Sequence, residues 1–200
     1  IQEVQLQLPI VFFKDFTAKI TNGRITIPSS DPVVFNLKFN NDLIEGNVFS
    51  KSVDVKEILL SLGYDPLARD IKGFLSKVDL TIDGLMQEPH LKGNLIVDNF
   101  YYKESLLKDG FTRADLTIMA LGENPLMKGT LIMDSASFNL NKKINIDITP
   151  TQVEFKGPAT NPELNIHGTT KVDDLTIDMA IKGTLLKPEL KLNSDPPLSE

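Results

Sequence analysis

The chain has 200 residues, of which 41% are hydrophobic and 24% are charged, and its formal net charge is −6. This apolar content is enough for a packed core and argues against a disordered chain, while scattered Lys and Arg residues lack the basic patch that nucleic-acid binding needs. The absence of cysteine excludes disulfide scaffolds and thiol catalysis, and no apolar run reaches the roughly 18 residues of a membrane span.

The first strand candidates lie in "EVQLQLPIVFF", "FTAKITNGRITIP" and "PVVFNLKFNNDLIEGNVF". In the second of them, Asn22-Gly23 separates two short alternating runs. Asn-Gly is the strongest short signal for a hairpin, because both residues accept the positive φ that a two-residue turn requires. We therefore predict a hairpin turn at Asn22-Gly23.

One stretch, "VDVKEILLSLG", departs from strand patterning. Asp54 is a candidate N-cap with Glu57 three residues later, apolar residues follow at helical spacing, and Gly63 is a stop signal. The pattern predicts one helix of about two turns near residues 54–62, whose role we expect to be covering an edge or an end of a sheet.

Period-two alternation dominates from residue 74 to the end. In "KVDLTIDG", for example, Val78, Leu80 and Ile82 alternate with Asp79, Thr81 and Asp83, and the same pattern returns in "ADLTIMA", "NIDITP", "QVEFKG", "ELNIHG", "LTIDMAIKG" and "ELKLNS". Each segment is typical of a strand with one dry and one wet face. The chain is therefore predicted to be all-β, with more than half of its residues in strands.

A glycine–proline–glycine punctuation separates these strands. It occurs in "GLMQEPHLKG" and returns around Pro125, Pro162 and Pro188. Proline cannot donate to a ladder, so these residues are expected in turns or at strand starts, with the glycines supplying backbone freedom. The run "FNLNKKINI" further predicts a tight hairpin at Asn141 and Lys142.

The sequence contains no recognisable catalytic or phosphate-binding motif. We interpret His90 and His167, the only histidines, as surface residues near turns rather than metal ligands, and the carboxylates as the wet faces of strands. We therefore expect no enzymatic activity, no catalytic residue, no metal and no cofactor.

The dry faces form the candidate site. If successive strands stack side by side, they give one continuous apolar surface, which is either the core of a closed β-sandwich or the lining of an open groove. From the alternation alone both remain open. The candidate lining residues are Leu80, Ile82, Leu95, Val97, Leu116, Ile118, Leu131, Met133, Ile146, Ile148, Phe155, Leu164, Ile166, Ile177, Met179, Leu190 and Leu192.

The series "VDLTIDGLMQEPHLKGNLIVDN", "ADLTIMALGENPLMKGTLIMDSASF" and "GTLLKPELKLNSDPPLSE" resembles the carboxy-terminal region of the TamB family, within the AsmA-like group of envelope proteins. The ending "SDPPLSE" is its most specific part. The resemblance is strongest over residues 74–200, which we expect to form TamB-like trough repeats, and residues 1–73 resemble AsmA-type sequence with a short helix. Because the chain starts with Ile1, we expect a fragment of a longer protein that forms one continuous unit.

The resemblance implies an elongated, curved antiparallel or mixed sheet that forms a U-shaped trough with an apolar lumen. It also implies a periplasmic protein of a diderm bacterium, anchored in the inner membrane by a segment outside this chain, with a TamA-like outer-membrane barrel as its partner. The expected function is conduction of phospholipids, through contact with their acyl chains, between the two membranes. The alternative is a chaperone-like factor that assembles outer-membrane proteins by β-augmentation.

Overall fold

A computed structural model describes residues 17–61, 69–102, 104–120, 126–140 and 143–197. Their strands form one sheet in the order β1-β2-β3-β4-β5-β6-β7-β8-β10-β11-β12, in which β9 also pairs with β7 and β10. All pairs are antiparallel. The elements are β1 (Thr17–Ile25), β2 (Val33–Asn40), β3 (Leu43–Asp54), α1 (Val55–Ser61), β4 (Ile71–Leu85), β5 (Glu88–Tyr102), β6 (Ser105–Ala120), β7 (Leu126–Leu140), β8 (Ile144–Ile148), β9 (Thr151–Pro158), β10 (Glu163–Val172), β11 (Leu175–Thr184) and β12 (Lys187–Asp195).

The prediction of an all-β fold is confirmed. Alternation of apolar and polar residues, interrupted by short turns, explains why the chain forms strands. Each alternating segment from residue 74 onward lies in a strand, and neighbouring strands pair in sequence order. Pro89 and Pro188 are second residues of β5 and β12, and Pro162 directly precedes β10, as expected of residues that cannot donate to a ladder. Pro125 lies outside the described residues, as do Asn141 and Lys142, where the turn of a hairpin is predicted. The strands on either side, β7 and β8, pair as that hairpin requires.

The hairpin predicted at Asn22-Gly23 is wrong. β1 continues through both residues and pairs with β2, with a register shift between Ile20 and Gly23. Asn22 does take a positive φ of 55°, but its N–H donates to the Asn36 side-chain oxygen at 2.9 Å. The positive φ therefore makes a β-bulge inside one strand rather than a turn between two.

The predicted helix is confirmed as α1. The Asp54 carboxylate accepts hydrogen bonds from the backbone N–H groups of Lys56 at 2.8 Å and Glu57 at 3.4 Å, so Asp54 is the N-cap. The helix directly follows β3 and contacts β3 and β4. Both are internal strands, so the helix packs at an end of the sheet rather than along an edge strand. Gly63, the predicted stop, lies outside the described residues.

β8 and β9 together form one interrupted strand. β8 pairs with the second half of β7 and β9 with its first half, in the same register: Ala136 lies opposite Ile148, and Met133 lies opposite Thr151. Pro150 falls in the gap, where it cannot donate a ladder hydrogen bond. The N–H of Thr149 instead donates to the His167 carbonyl at 3.1 Å, which keeps the two halves beside β10.

A line of backbone irregularities crosses the middle of the sheet, and we call it the crease. It runs through the bulges of β4 and β6, where Lys77 and Asp109 have positive φ, through the register shift of β7 near Ser135, and through Pro150. Bulges bend the strand that carries them and increase its twist. The long strands β4, β6 and β7 therefore bend at the crease, which is consistent with a sheet curved into a trough that has the crease along its floor and the two halves of the strands as its walls.

Burial is concentrated beside the crease. Val78, Thr112, Ala136 and Ile148 are all buried there. Ile44 and Ile71 are buried nearer the strand ends, but most other apolar residues farther along the strands are only half-buried. The described part of the chain thus has its core along the floor of the trough. A closed sandwich would instead bury the dry faces throughout.

Candidate functional site: an apolar groove

The sheet register places all of the predicted lining residues on one face. Directly paired residues of neighbouring strands share a face, and one row runs through Ile82, Leu91, Leu116, Gly129 and Phe155. The next row begins at Leu80 and continues through Gly93, Ala114, Leu131, Val153 and Leu164.

The predicted residues of the last strands belong to the same face. Ile148, Gly168, Met179 and Leu192 form one row, and Ile166, Ile181 and Leu190 form another. Met133, Ile166 and Met179 pack against the buried cluster of Ala136, Ile146 and Ile148, which joins these rows to those of β6 and β7. We call this face the groove.

The exposure of the lining residues changes along the groove. Ile146 and Ile148 are buried, most of the others are half-buried, and Leu190 and Leu192 on β12 are 58% and 59% exposed. Outside the floor, no second layer among the described residues shields the lining from solvent. The apolar face is therefore accessible from outside while remaining continuous from strand to strand.

The groove extends beyond the residues predicted from sequence. Val153 and Ile181 belong to its rows, as do Ile20, Leu37 and Val48 on the first three strands. Their alternation was visible in the sequence, but only the register shows that β1–β3 continue the same face. A depression of about 590 Å³ over β1–β4 is lined in part by Ile20, Leu37, Gly46 and Ile82.

The floor also contains buried hydroxyl groups, and those of Ser50, Thr112 and Thr151 have backbone partners. Thr112 donates to the Gly110 carbonyl at 3.2 Å, and Thr151 accepts from the N–H of His167 at 3.0 Å. Ser50, which is fully buried, has its hydroxyl 3.4 Å from the carbonyl oxygens of Asp31 and Ser52. Because these hydroxyl groups bond to the backbone, they can be buried in the floor without presenting an unpaired polar group to the groove.

The second glycine of the repeated punctuation lies inside a strand rather than in a turn. A Cβ on Gly93 would lie 2.1 Å from the Asp79 carbonyl oxygen, and a Cβ on Gly129 would lie 2.0 Å from that of Asp115. Both residues also have positive φ. These glycines therefore permit a close backbone approach between neighbouring strands, which a side chain would prevent.

The opposite face of the sheet carries most of the charged residues, together with exposed apolar residues such as Phe49 and Phe111, and we call it the polar face. Arg113 pairs with Asp134 at 2.6 Å, and Lys156 pairs with Glu154 at 3.1 Å and with Glu163 at 2.7 Å. Arg113–Asp134 and Lys156–Glu163 join adjacent strands, whereas Lys156 and Glu154 both belong to β9. All of these pairs are exposed, so they keep the outer face hydrated and contribute little to stability.

Sequence reasoning missed one cluster on this face, because its partners come from three strands. His90 is the third residue of β5, and its ring contacts Asp83 of β4 at 3.2 Å and Asp115 of β6 at 2.7 Å. The hydrogen bond with Asp115 raises the pKa of His90, against the opposing effect of burial, and lowers the pKa of the Asp115 carboxyl. His167 lies within β10, where its ring contacts Asn165 at 3.0 Å.

No group of three or more His, Asp or Glu side chains in the described ranges is arranged to hold a metal ion. Nor does any helix within those ranges have the length and apolar content to cross a membrane.

A family model described as the TamB C-terminal domain matches residues 22–200. The chain belongs to the TamB family. Membership supports a role in the envelope of a diderm bacterium, in outer-membrane protein assembly, where the family is associated with TamA as partner. The resemblance read from the sequence is strongest over residues 74–200, and the match to the family model extends farther upstream, to residue 22. No curated protein and no solved structure matches the chain.

Proposed function

We propose that this TamB-family chain is a non-enzymatic, periplasmic conduit that moves phospholipids between the inner and outer membranes, with their acyl chains held in the groove. The protein that contains it would be anchored in the inner membrane and would meet a TamA-like barrel at the outer membrane. One observation supports the proposal above the others: the groove is apolar from β1 to β12, and most of its lining is half-buried rather than buried.

Transfer energies explain why such a surface suits this task. Withdrawing an apolar chain from a bilayer into water costs about 0.8 kcal/mol per methylene, so a chain of about 16 carbons faces a barrier on the order of 12 kcal/mol. Aliphatic side chains such as those of Leu116 and Leu131 replace the bilayer interior without donating or accepting hydrogen bonds. They would thus lower the barrier without trapping a headgroup.

The length of the groove also fits a conduit. The strand order contains eleven positions, because β8 and β9 share one, and neighbouring strands are about 4.8 Å apart. The groove therefore extends for about 50 Å along the stacking direction. A lipid would slide across successive rows of similar side chains, which offer no deep binding pocket along the way.

Substitutions on the groove face test the proposal. Leu116→Asp with Leu131→Asp places two carboxylates on the lining of adjacent strands, and in the intact protein we expect lipid transport, and lipid co-purification, to be lost. The matched control is Thr117→Asp with Ile132→Asp, neighbouring positions on the polar face that lie opposite Lys128 and Arg113. A second pair, Ile118→Asp with Ile177→Asp, should behave like the first.

Circular dichroism separates transport from folding in these variants. Both groove pairs should retain the β signal of the wild type, because the substituted positions are half-buried rather than buried. Undiminished transport by folded groove variants would refute lipid conduction, as would an equal loss in the polar-face control.

The second candidate is β-augmentation, in which an incoming strand of an outer-membrane protein pairs with a sheet edge. Its support is that β12 has only β11 as a neighbour among the described strands and is exposed along nearly its whole length. However, β12 also carries Lys187, Pro188 and Lys191, residue types that protect edges from pairing. We therefore rank this function below lipid conduction.

A proline substitution distinguishes the two functions. Within a strand, proline occupies positions whose N–H would not take part in the ladder, so the backbone of Pro188 faces the open edge of β12. Backbone groups alternate in direction along a strand, so the N–H groups of Leu190 and Leu192 face the same edge. Leu192→Pro should impair assembly of outer-membrane proteins if the edge recruits strands. Lipid binding should persist, because proline keeps this exposed position of the lining apolar. Normal assembly with this variant would eliminate β12 as the recruiting edge.

A further inference from the structure

The His90 cluster joins three strands on the polar face. His90 is on β5, and its Nδ1 lies 3.2 Å from Asp83 of β4 while its Nε2 lies 2.7 Å from Asp115 of β6. Asp115 is also 3.5 Å from Lys92. One imidazole ring therefore links the two strands on either side of its own.

The chemistry of imidazole limits which protonation state fits this arrangement. A neutral ring donates from one nitrogen only, and its other nitrogen is an acceptor. Because both ring nitrogens of His90 face carboxylate oxygens, the neutral ring would direct a lone pair at one carboxylate. Only the imidazolium donates to Asp83 and Asp115 together.

The charges around the ring are mostly acidic. The charged residues nearest to the ring are Asp83 on β4, Glu88 and Lys92 on β5, and Asp115 on β6. Farther along the same face, Asp79 of β4 and Arg113 of β6 both lie opposite Asn94 of β5. One strand farther out, Glu45 of β3 lies opposite Asp83, and Lys128 of β7 lies opposite Thr117, the direct partner of His90. Lys92 contacts Asp115 and so shares that carboxylate with His90. Asp83 has no other ion pair in the described part of the chain.

The cluster stands directly behind the groove. Each residue of the cluster has a sequence neighbour on the groove face: Ile82 beside Asp83, Leu91 beside His90, and Leu116 beside Asp115. These three neighbours form one directly paired row. A change in the strength of the contacts between β4, β5 and β6 at the cluster therefore also changes how stably this row of groove-lining residues is held.

We propose that His90, Asp83 and Asp115 form a proton-dependent clamp that holds this wall together when the imidazole is charged and loosens it when the proton leaves. The clamp is a property of the fold and does not depend on what the groove carries.

The direction of the pH response follows from the two shifted groups. The folded-state pKa of His90 is raised above 6.5, so its stabilisation is complete below 6.5 and is lost as pH rises through the folded value. The folded-state pKa of Asp115 is lowered below 3.8, so its stabilisation is present above 3.8 and is lost as pH falls through the folded value. The clamp is fully formed between these limits.

Nuclear magnetic resonance of the ¹⁵N-labelled chain tests the clamp directly. Long-range ¹H–¹⁵N spectra should show both ring nitrogens of His90 protonated at pH 6, with a titration midpoint above 6.5. Asp115→Asn should lower that midpoint, whereas Asp134→Asn, which removes an exposed carboxylate of the same face that pairs with Arg113, should not. A midpoint at or below 6.5 in the wild type would overturn the proposal.

Amide hydrogen exchange tests the mechanical consequence. After correction for intrinsic exchange, protection of β4–β6 amides near the cluster should fall by up to about fivefold as pH rises through the His90 midpoint, the range expected of an exposed ion pair. His90→Gln should remove this pH dependence and leave the β signal unchanged. If the variant keeps the same pH dependence as the wild type, the clamp does not exist, and this outcome leaves lipid conduction untouched.

Discussion

Alanine at Gly93 should destabilise the sheet far more than a glycine-to-alanine change usually does. Its Cβ would lie 2.1 Å from the Asp79 carbonyl oxygen and 2.9 Å from the Leu80 Cα, and the residue has a φ of 155°. Because a real Cβ rarely comes within about 3.0 Å of such atoms, the two strands would have to separate by about 1 Å. Backbone strain of about 1–3 kcal/mol and one or two weakened ladder hydrogen bonds together predict a loss of about 2–4 kcal/mol.

Urea unfolding followed by circular dichroism measures this effect. With a slope of about 2 kcal/mol per M, Gly93→Ala should lower the midpoint by about 1–2 M. Gly129→Ala, at the equivalent repeat position, should do the same. Gly157→Ala is the control, because no atom lies within 4 Å of its Cβ position, and it should be neutral or stabilising by about 0.4–1 kcal/mol. Equal midpoints for Gly93→Ala and Gly157→Ala would refute the close-approach explanation.

Three further predictions concern stability. Ile146→Ala empties part of the buried floor and should cost about 2–5 kcal/mol in urea unfolding, whereas Leu190→Ala on exposed β12 should cost less than about 1 kcal/mol; a larger loss at Leu190 would contradict the placement of the core. Asp54→Ala removes the N-cap of α1 and should cost about 1 kcal/mol, with Asp54→Asn retaining most of it. In unfolding curves measured from pH 5 to 9, the stability difference between wild type and His90→Gln should be largest below pH 6.5 and shrink at higher pH; a difference that grows with pH would contradict the sign derived from the pKa of His90.

The sequence predicted the strands and the shared face well, because period-two alternation reports directly on which side chains turn the same way. Leu80 and Ile82 alternate with Asp79 and Thr81, and any antiparallel pairing keeps the two sets on opposite faces. The cap at Asp54 was equally readable, since the signal and the contact lie within three residues of each other.

Features that depend on neighbouring strands could not be predicted. Asn22-Gly23 has the residues of a hairpin turn, yet Asn36 on β2 binds the Asn22 N–H and the positive φ becomes a bulge. The contacts of His90 with Asp83 and Asp115 likewise require the register of β4, β5 and β6. Local sequence specifies the conformations that a residue tolerates, and pairing with another strand decides how that tolerance is used.

The antiparallel order of the strands has a consequence for how such proteins vary in size. Backbone contacts between strands are confined in the main to hydrogen-bonded neighbours that are also close in sequence. A duplicated hairpin therefore lengthens the molecule by about 10 Å without disturbing distant packing. The length of a sheet built in this way can change by adding or deleting hairpins, because its reach scales with the number of strands while its cross-section stays the same.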